Sequence, residues 1–151
     1  MMMLRLLAIS TFATACGCAQ IHLLEMSFEG VNCLPCVESM PARAQRIRGV
    51  ESAKVDAAKG ILTLQLAAAN RVRVEQIRDM IQQDGTKAAG VPHIEVSGTI
   101  EKTEAGVWMM RIPQHPQPLE LKSLKPLKPG MSRVRGAIKD LKRIPLLVDL
   151  E

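Results

Sequence analysis

The chain has 151 residues and a formal net charge of +5, but only three aromatic residues, Phe12, Phe28 and Trp108. A core built from this sequence must therefore be aliphatic, and the chain lacks the aromatic platforms on which single-stranded nucleic acids stack. We accordingly expect no nucleic-acid partner. The length suits one domain or two small ones.

The N-terminal segment, residues 1–19, is typical of an export signal. Arg5 precedes a short apolar run, residues 6–12, and small residues follow. The run is far below the roughly 20 apolar residues of a membrane-spanning helix. Two alternatives stay open: simple cleavage near Cys16 or after Ala19, or a degenerate lipobox whose lipidated Cys16 would tether the chain to a membrane. Both predict an exported protein of the periplasm or cell envelope.

The next part of the chain alternates between strand and helix patterns. Apolar residues over 21–28 predict a strand, and the apolar spacing over 37–47 predicts a helix that Pro41 kinks or breaks. Residues 53–66 predict a hairpin of two short strands. Residues 74–81 predict a second amphipathic helix, and strand patterns resume after it.

A pair of cysteines stands where the first strand passes into the first helix. Cys33 and Cys36 enclose Leu34 and Pro35, and proline at this point supplies the fixed φ of a first helical turn. Residues three apart lie on nearly one helical face, and the free N–H groups of a helix start favour the thiolate, which is the form that binds metal. Soft thiolates select Cu(I) or Hg(II), whereas Zn(II) favours four ligands. The pair therefore predicts a metal site for Cu(I) or Hg(II), with Zn(II) less favoured.

Residues 21–90 resemble the heavy-metal-associated domain family of copper chaperones and periplasmic mercury-binding proteins. The segments that carry this resemblance are residues 30–36, 49–56, 62–64 and 77–85. The resemblance implies a ferredoxin-like βαββαβ fold and a protein that sequesters metal or passes it to a metal-transporting membrane protein or another acceptor. Two positions depart from the family: Val31 replaces the usual Met, and Thr86 replaces an aromatic residue or Lys that lies over the metal loop. Lys87 is a candidate for that space.

Two other functions remain open for the same residues. One is a thiol-disulfide oxidoreductase that uses Cys33 and Cys36, although the aromatic residue usual before the first cysteine is absent. The other is an interaction module that keeps the fold and uses the thiols for neither purpose. A local structural disulfide is a further alternative. The sequence contains no paired carboxylates, serine–histidine constellation or phosphate-binding glycine loop, and we expect no enzymatic activity beyond the thiols.

Residues from about 92 onward predict about five short strands and little helix. We expect a small antiparallel barrel-like module, similar to an OB or SH3 module, whose first strand grows out of the last strand of the preceding domain. The predicted organisation is thus α+β: signal 1–19, ferredoxin-like domain 20–91 and all-β module 92–151.

Several further side chains are candidate ligands or contact residues. The three histidines, His22, His93 and His115, have no ligand-like spacing, and we expect exposed polar residues. The methionines Met109, Met110 and Met131, like Trp108, are expected in the core or at its rim. The C-terminal half is basic, which predicts either a solvated face or attraction to anionic lipid or an acidic partner. Its cations are Lys122, Lys125, Lys128, Arg133, Arg135, Lys139, Lys142 and Arg143.

Overall fold

The structure, a computed structural model, describes residues 20–113, 115–116 and 118–151. The predicted export signal lies outside these residues. The elements are β1 (Gln20–Glu29), α1 (Leu34–Glu38), α2 (Met40–Gln45), β2 (Val50–Asp56), β3 (Ile61–Leu66), α3 (Val74–Gln82), β4 (Lys87–Lys102), β5 (Trp108–Arg111), β6 (Leu119–Lys122), β7 (Gly130–Asp140) and β8 (Leu146–Leu150). The chain is thus α+β with mostly strands and few helices. Among the described residues, no helix has both the length and the apolar character needed to cross a membrane.

The N-terminal elements form an antiparallel sheet in the order β2-β3-β1-β4. Alternation along β1 buries Leu24, Met26 and Phe28, while α2 and α3 pack against the same sheet. The helices contribute a mainly aliphatic set to the core: Val37, Met40, Ala44, Val74, Ile77, Met80 and Ile81. The element order and the aliphatic core agree with the predicted ferredoxin-like pattern.

The predicted break in the first helix is confirmed. α1 ends at Glu38 and α2 begins at Met40, with Pro41 in the first turn of α2. Proline has no N–H, so Pro41 cannot donate to the carbonyl of Val37 and the helical hydrogen-bond ladder is interrupted there. The break still leaves Val37, Met40 and Ala44 fully buried on one side.

β4 belongs to both halves of the molecule. One of its edges pairs with β1 over residues 87–97 and then with β5 over residues 99–102, while the other edge pairs with β7 over residues 93–100. Its 16 residues therefore continue from the N-terminal sheet into the C-terminal one, as the sequence predicted. The predicted boundary between residues 91 and 92 falls within this strand.

The C-terminal strands close into a five-stranded barrel in the order β4-β5-β6-β8-β7, with β7 returning to β4. The expectation of a purely antiparallel module needs one correction, because β6 and β8 pair in parallel from Leu119↔Leu146 to Lys122↔Asp149. A parallel pair requires a crossover connection, and β7 with its two loops supplies it.

Two glycines allow the barrel strands to approach closely. A Cβ at Gly98 would lie 2.7 Å from the carbonyl oxygen of Arg111, and one at Gly136 would lie 2.5 Å from that of Asp149. Ordinary side chains cannot be placed at these separations without moving backbone. Because they lack a side chain, these glycines allow the five strands to close into a small barrel.

We expect Gly98→Ala to lower the free energy of unfolding by roughly 1–3 kcal/mol, because the added methyl group also meets Met110 Cγ at 2.8 Å. Urea unfolding followed by circular dichroism measures this change. Ser132, the partner of Gly98 on β7, offers the matched control Ser132→Ala, which adds no atoms and should shift stability by only about 0.5 kcal/mol. Equal stabilities of the two variants would contradict the packing argument.

Candidate metal-binding site

The cysteine pair is placed by the turn between β1 and α1. Gly30 has φ of +70°, in the left-handed region that glycine enters without a steric penalty, and it lets the chain leave β1 sharply. Cys33 is extended (φ −145°, ψ 100°) and caps α1, and Pro35 stands in the first turn of that helix. The local sequence therefore positions both thiols at the start of α1.

The structure brings the two predicted ligand residues together. Their Cα atoms are 5.2 Å apart, and the sulfurs form a Cys33–Cys36 disulfide. Both residues are half-buried. The Cys36 N–H donates to Cys33 Sγ at 3.3 Å, and the Val37 N–H donates to the Cys33 carbonyl at 3.3 Å. In the reduced state, an N–H directed at sulfur favours the thiolate over the thiol.

The surroundings of the pair are open and largely apolar. Val31 is 42% exposed and Leu34 is 57% exposed, so apolar side chains lie on both sides of Cys33 in sequence. Lys87 is the register partner of Glu29, and its Cγ lies 3.9 Å from where a Cβ on Gly30 would be. Thr86 is buried. Lys87 therefore lies beside the turn that leads from β1 to the cysteine pair.

Sequence reasoning missed Arg43, which connects the cysteine helix to the end of α3. Its Nη2 donates to the Cys36 carbonyl at 3.3 Å and to Asp84 Oδ2 at 2.7 Å, while Nη1 donates to the Met80 carbonyl at 3.3 Å. The Ser39 hydroxyl donates to the same Cys36 carbonyl at 2.8 Å. These contacts hold the backbone of Cys36 against α3. An arginine seven residues after the second cysteine is the only sequence signal for this contact, and it is a weak one.

Asp84 is the acidic partner in this link. Burial works against its ionised form, but hydrogen bonds from Thr86 and the nearby Arg43 charge outweigh burial, so the pKa of Asp84 lies below its ordinary value. The carboxylate therefore remains ionised at neutral pH and holds Arg43. Both side chains are mostly buried, which gives this ion pair more weight than a surface pair.

Each of the three histidines has a polar partner within the protein. The expectation that they are exposed is wrong for His22 and His115, which are half-buried, whereas the His93 side chain is 42% exposed. His22 Nε2 lies 2.6 Å from Ser97 Oγ, and burial followed by the charge of Arg133 lowers the pKa of His22. His93 Nδ1 lies 3.0 Å from a Glu151 carboxylate oxygen. His115 Nε2 lies 3.0 Å from the Val72 carbonyl. Across the described part of the chain, no three His, Cys, Asp or Glu side chains come together as a metal-ligand cluster.

The methionines of the barrel divide between core and surface. Met110 is buried and Met109 is half-buried, as expected of neighbours on a strand that face opposite ways. Met131 is 57% exposed, so the expectation of core packing is wrong for this residue, which lies on the outer face near the start of β7. Trp108 is half-buried at the rim of the core, as predicted.

We expect Arg43→Met to lower the free energy of unfolding by about 2 kcal/mol at neutral pH, because it leaves the Asp84 carboxylate and two carbonyls without this donor. Arg78→Met is the matched control, since the Arg78–Asp79 pair on α3 is more exposed and should contribute about 0.5 kcal/mol or less. Urea unfolding of both variants checks this difference. Equal losses would contradict a special role for Arg43.

The loss of stability in Arg43→Met should depend on pH. Because the folded-state pKa of Asp84 is lowered, its contribution to stability is present above the unfolded-state pKa and is lost as the pH falls through the folded-state pKa. The stability difference between wild type and Arg43→Met should therefore narrow in acid. A difference that stays constant down to the acid transition would show that Asp84 is not the relevant partner.

Comparison with known proteins finds likeness in solved structures alone: no family model matches, and no curated protein matches. A structure described as CopZ metallochaperone is 27% identical and covers 44% of this chain and 98% of its own, with a TM-score of 0.40. The yeast copper transporter domain Ccc2a, solved in apo and Cu(I)-loaded states, is 15% identical and covers 44% of this chain and 90% of its own, also with a TM-score of 0.40.

Proposed function

We propose that this chain is an exported carrier of a soft metal ion, which it binds through the reduced thiolates of Cys33 and Cys36. The observation that carries the proposal is the convergence of these two residues, 5.2 Å apart at Cα, at a half-buried helix start that solvent reaches. The metal is cargo rather than a resident cofactor.

The donor set favours Cu(I) or Hg(II) over Zn(II). Two sulfurs satisfy an ion that accepts two soft ligands, whereas zinc in structural sites takes four ligands in a tetrahedron. Within the described ranges, no histidine or carboxylate cluster stands ready to complete a four-ligand site. The pair therefore suits sequestration or delivery of a two-coordinate ion.

The openness of the site supports transfer to an acceptor. An incoming thiolate can bond to the ion while Cys33 and Cys36 are still attached, which forms a three-coordinate intermediate and avoids release of free metal. Exposed Val31 and Leu34 offer apolar contact area around the site for that acceptor. A metal-transporting membrane protein or another thiol-bearing protein is the partner that this chemistry implies, and the carrier itself catalyses no reaction.

Metal binding requires the disulfide to be opened first. A dithiol reductant supplies two electrons and two protons and becomes a disulfide, and the Cys33–Cys36 bond is thereby converted into two thiols. These thiols lose their protons to solvent as the ion binds. Metal uptake is therefore expected only under reducing conditions.

A thiol-disulfide oxidoreductase is the second candidate, and the recorded Cys33–Cys36 disulfide is the observation that favours it. Asn32 stands directly before the first cysteine where such enzymes usually carry an aromatic residue. We therefore rank the metal carrier above the oxidoreductase as the proposed function. A module that uses the thiols for neither purpose is the third alternative.

We expect anaerobic titration of the reduced chain to show one Cu(I) or Hg(II) bound per chain, with X-ray absorption reporting two sulfur ligands. Cys33→Ser/Cys36→Ser should abolish this site. Cys16→Ser/Cys18→Ser removes the other two thiols of the chain and is the matched control, which should keep the site and its stoichiometry. Bound metal should also protect Cys33 and Cys36 from alkylation.

Three results would contradict the carrier. They are unchanged affinity in the Cys33→Ser/Cys36→Ser variant, a four-ligand metal environment, and reduction of insulin disulfides much faster than by a small dithiol at the same concentration. The last result, without protection of the thiols by metal, would make the oxidoreductase the leading function.

Export is the remaining part of the proposal and is supported by the pattern of residues 1–19 alone. We expect the mature chain to lack residues 1–15, either with a lipid on Cys16 or with a simple cleavage close by. Intact mass of the membrane and soluble fractions distinguishes these two forms. A full-length chain retained in the cytoplasm would contradict export.

A further inference from the structure

We propose that the barrel end farthest from the cysteines is a contact surface for an anionic membrane. This basic barrel end consists of Lys102, Trp108, Lys122, Leu124, Lys125 and Lys128. The inference goes beyond metal binding and concerns how the chain is oriented while Cys33 and Cys36 work.

Strand pairing gathers these residues from separate elements. Lys102, at the end of β4, pairs with Trp108 at the start of β5, and Trp108 pairs with Leu121 near the end of β6. β7 begins at Gly130, opposite Ile100 near the end of β4. The loop of residues 123–129, which joins β6 to β7, therefore lies at the same barrel end as Lys102.

This end carries lysines without acidic partners. Within the described residues, Lys102, Lys122, Lys125 and Lys128 are exposed and form no ion pair, and Lys102 Nζ lies 5.5 Å from the centre of the Trp108 ring. Two nearby carboxylates form ion pairs with cations other than these four lysines: Glu101 binds Arg111, and Asp149 binds Lys139. Among the described residues of this end, Glu104 is exposed and is the carboxylate without an ion pair. The surface is net positive.

The other basic residues of the C-terminal half are largely neutralised. Arg133 pairs with Glu95, Arg135 with Glu25, and Arg143 with Glu120. Two of these pairs, those of Arg133 and Arg135, cross strands on the open face of the sheet. Among the described cations of the C-terminal half, those without an ion pair therefore lie mainly at the basic barrel end, with Lys142 outside it.

The 123–129 loop presents a leucine outward among these lysines. Leu127 packs against the core, while Leu124 has a relative exposure of 104%. Pro126 and Pro129 restrict the backbone, and the Lys125 N–H donates to Ser123 Oγ at 3.1 Å. A restricted loop with one fully exposed leucine between lysines is suited to the surface of a membrane. The leucine would enter the acyl region, and the ammonium groups would stay among the lipid headgroups.

Chain reach agrees with a membrane as the occupant rather than an acidic protein. β1 starts at Gln20, which pairs with Ser97, and Ser97 is five residues, or about 17 Å, from Lys102 along β4. Cys16 precedes Gln20 by four residues, which span at most about 14 Å. Because strands in a barrel tilt by about 35–45° from its axis, this stretch of β4 covers only about 13 Å along the axis. A lipid on Cys16, one of the two alternatives for the N-terminus, would thus hold Gln20 within reach of a bilayer that contacts the basic barrel end.

The cysteines lie at the opposite end of β1. The ten residues of β1 separate Gln20 from Glu29 by about 30 Å, and the turn to Cys33 follows Glu29. A chain that rests on a membrane through the basic barrel end therefore directs Cys33 and Cys36 away from that membrane.

Vesicle binding by the full chain tests this proposal. We expect sedimentation with vesicles of phosphatidylcholine and 30% phosphatidylglycerol to exceed that with pure phosphatidylcholine, and to weaken as salt is added. Lys122→Gln/Lys125→Gln/Lys128→Gln should weaken binding about a hundredfold, and Leu124→Ser by about fivefold. Arg48→Gln/Lys54→Gln/Arg71→Gln makes the same charge change on exposed residues of the N-terminal half and should cost less than about threefold.

Trp108 supplies a readout of orientation because it is the single tryptophan of the chain. Brominated lipids should quench its fluorescence when the chain binds anionic vesicles. Equal loss of binding in the two triple variants, equal binding to neutral vesicles, or an unquenched Trp108 would each overturn the proposal. Binding carried by residues 1–19 alone would leave every variant unchanged and would overturn it too. Binding to polyglutamate with none to vesicles would assign the surface to an acidic protein instead.

Discussion

Backbone pairing along β4 is the constraint on which the rest of this structure depends. This strand pairs with β1 in the N-terminal sheet and with β5 and β7 in the barrel. It therefore joins the two halves without a linker. Since β1 runs antiparallel to it, the strand also sets the distance between the cysteine turn beside Lys87 and the loops beyond Lys102. The proposed metal site near Lys87 and the proposed membrane contact near Lys102 thus lie at opposite ends of one strand.

The near absence of aromatic residues shapes the packing in both halves. Burial is supplied by Leu, Ile, Val and Met, which contribute apolar area but little directional contact. A barrel of five short strands leaves little space inside, and Gly98 and Gly136 stand where two strand backbones come closest. Glycines at these two positions, with branched aliphatic residues between them, allow the barrel to close. Larger side chains at the same positions would keep the strands apart.

Ion pairs formed in the tertiary structure neutralise much of the positive charge of the C-terminal half. In the sequence, eight cations make the C-terminal half look uniformly basic, yet Arg133, Arg135, Lys139 and Arg143 each have a carboxylate partner once the strands are assembled. The partners Glu25 and Glu95 come from the N-terminal sheet and its shared strand, so part of this charge stabilises the junction between the halves. Arg43 shows the same principle at the cysteine site, where an arginine on α2 acts through Asp84 after α3.

Local patterns in the sequence were enough to predict the strand and helix order, the break near Pro41, the turn that places Cys33 and Cys36, and the continuity of β4, because each depends on residues near one another in the chain. The parallel β6–β8 pair, the exposure of Met131, the half-burial of His22 and His115 and the Arg43 link were decided only by tertiary structure. Each of these depends on which distant segment lies alongside, and a period of two or 3.6 residues carries no information about that neighbour.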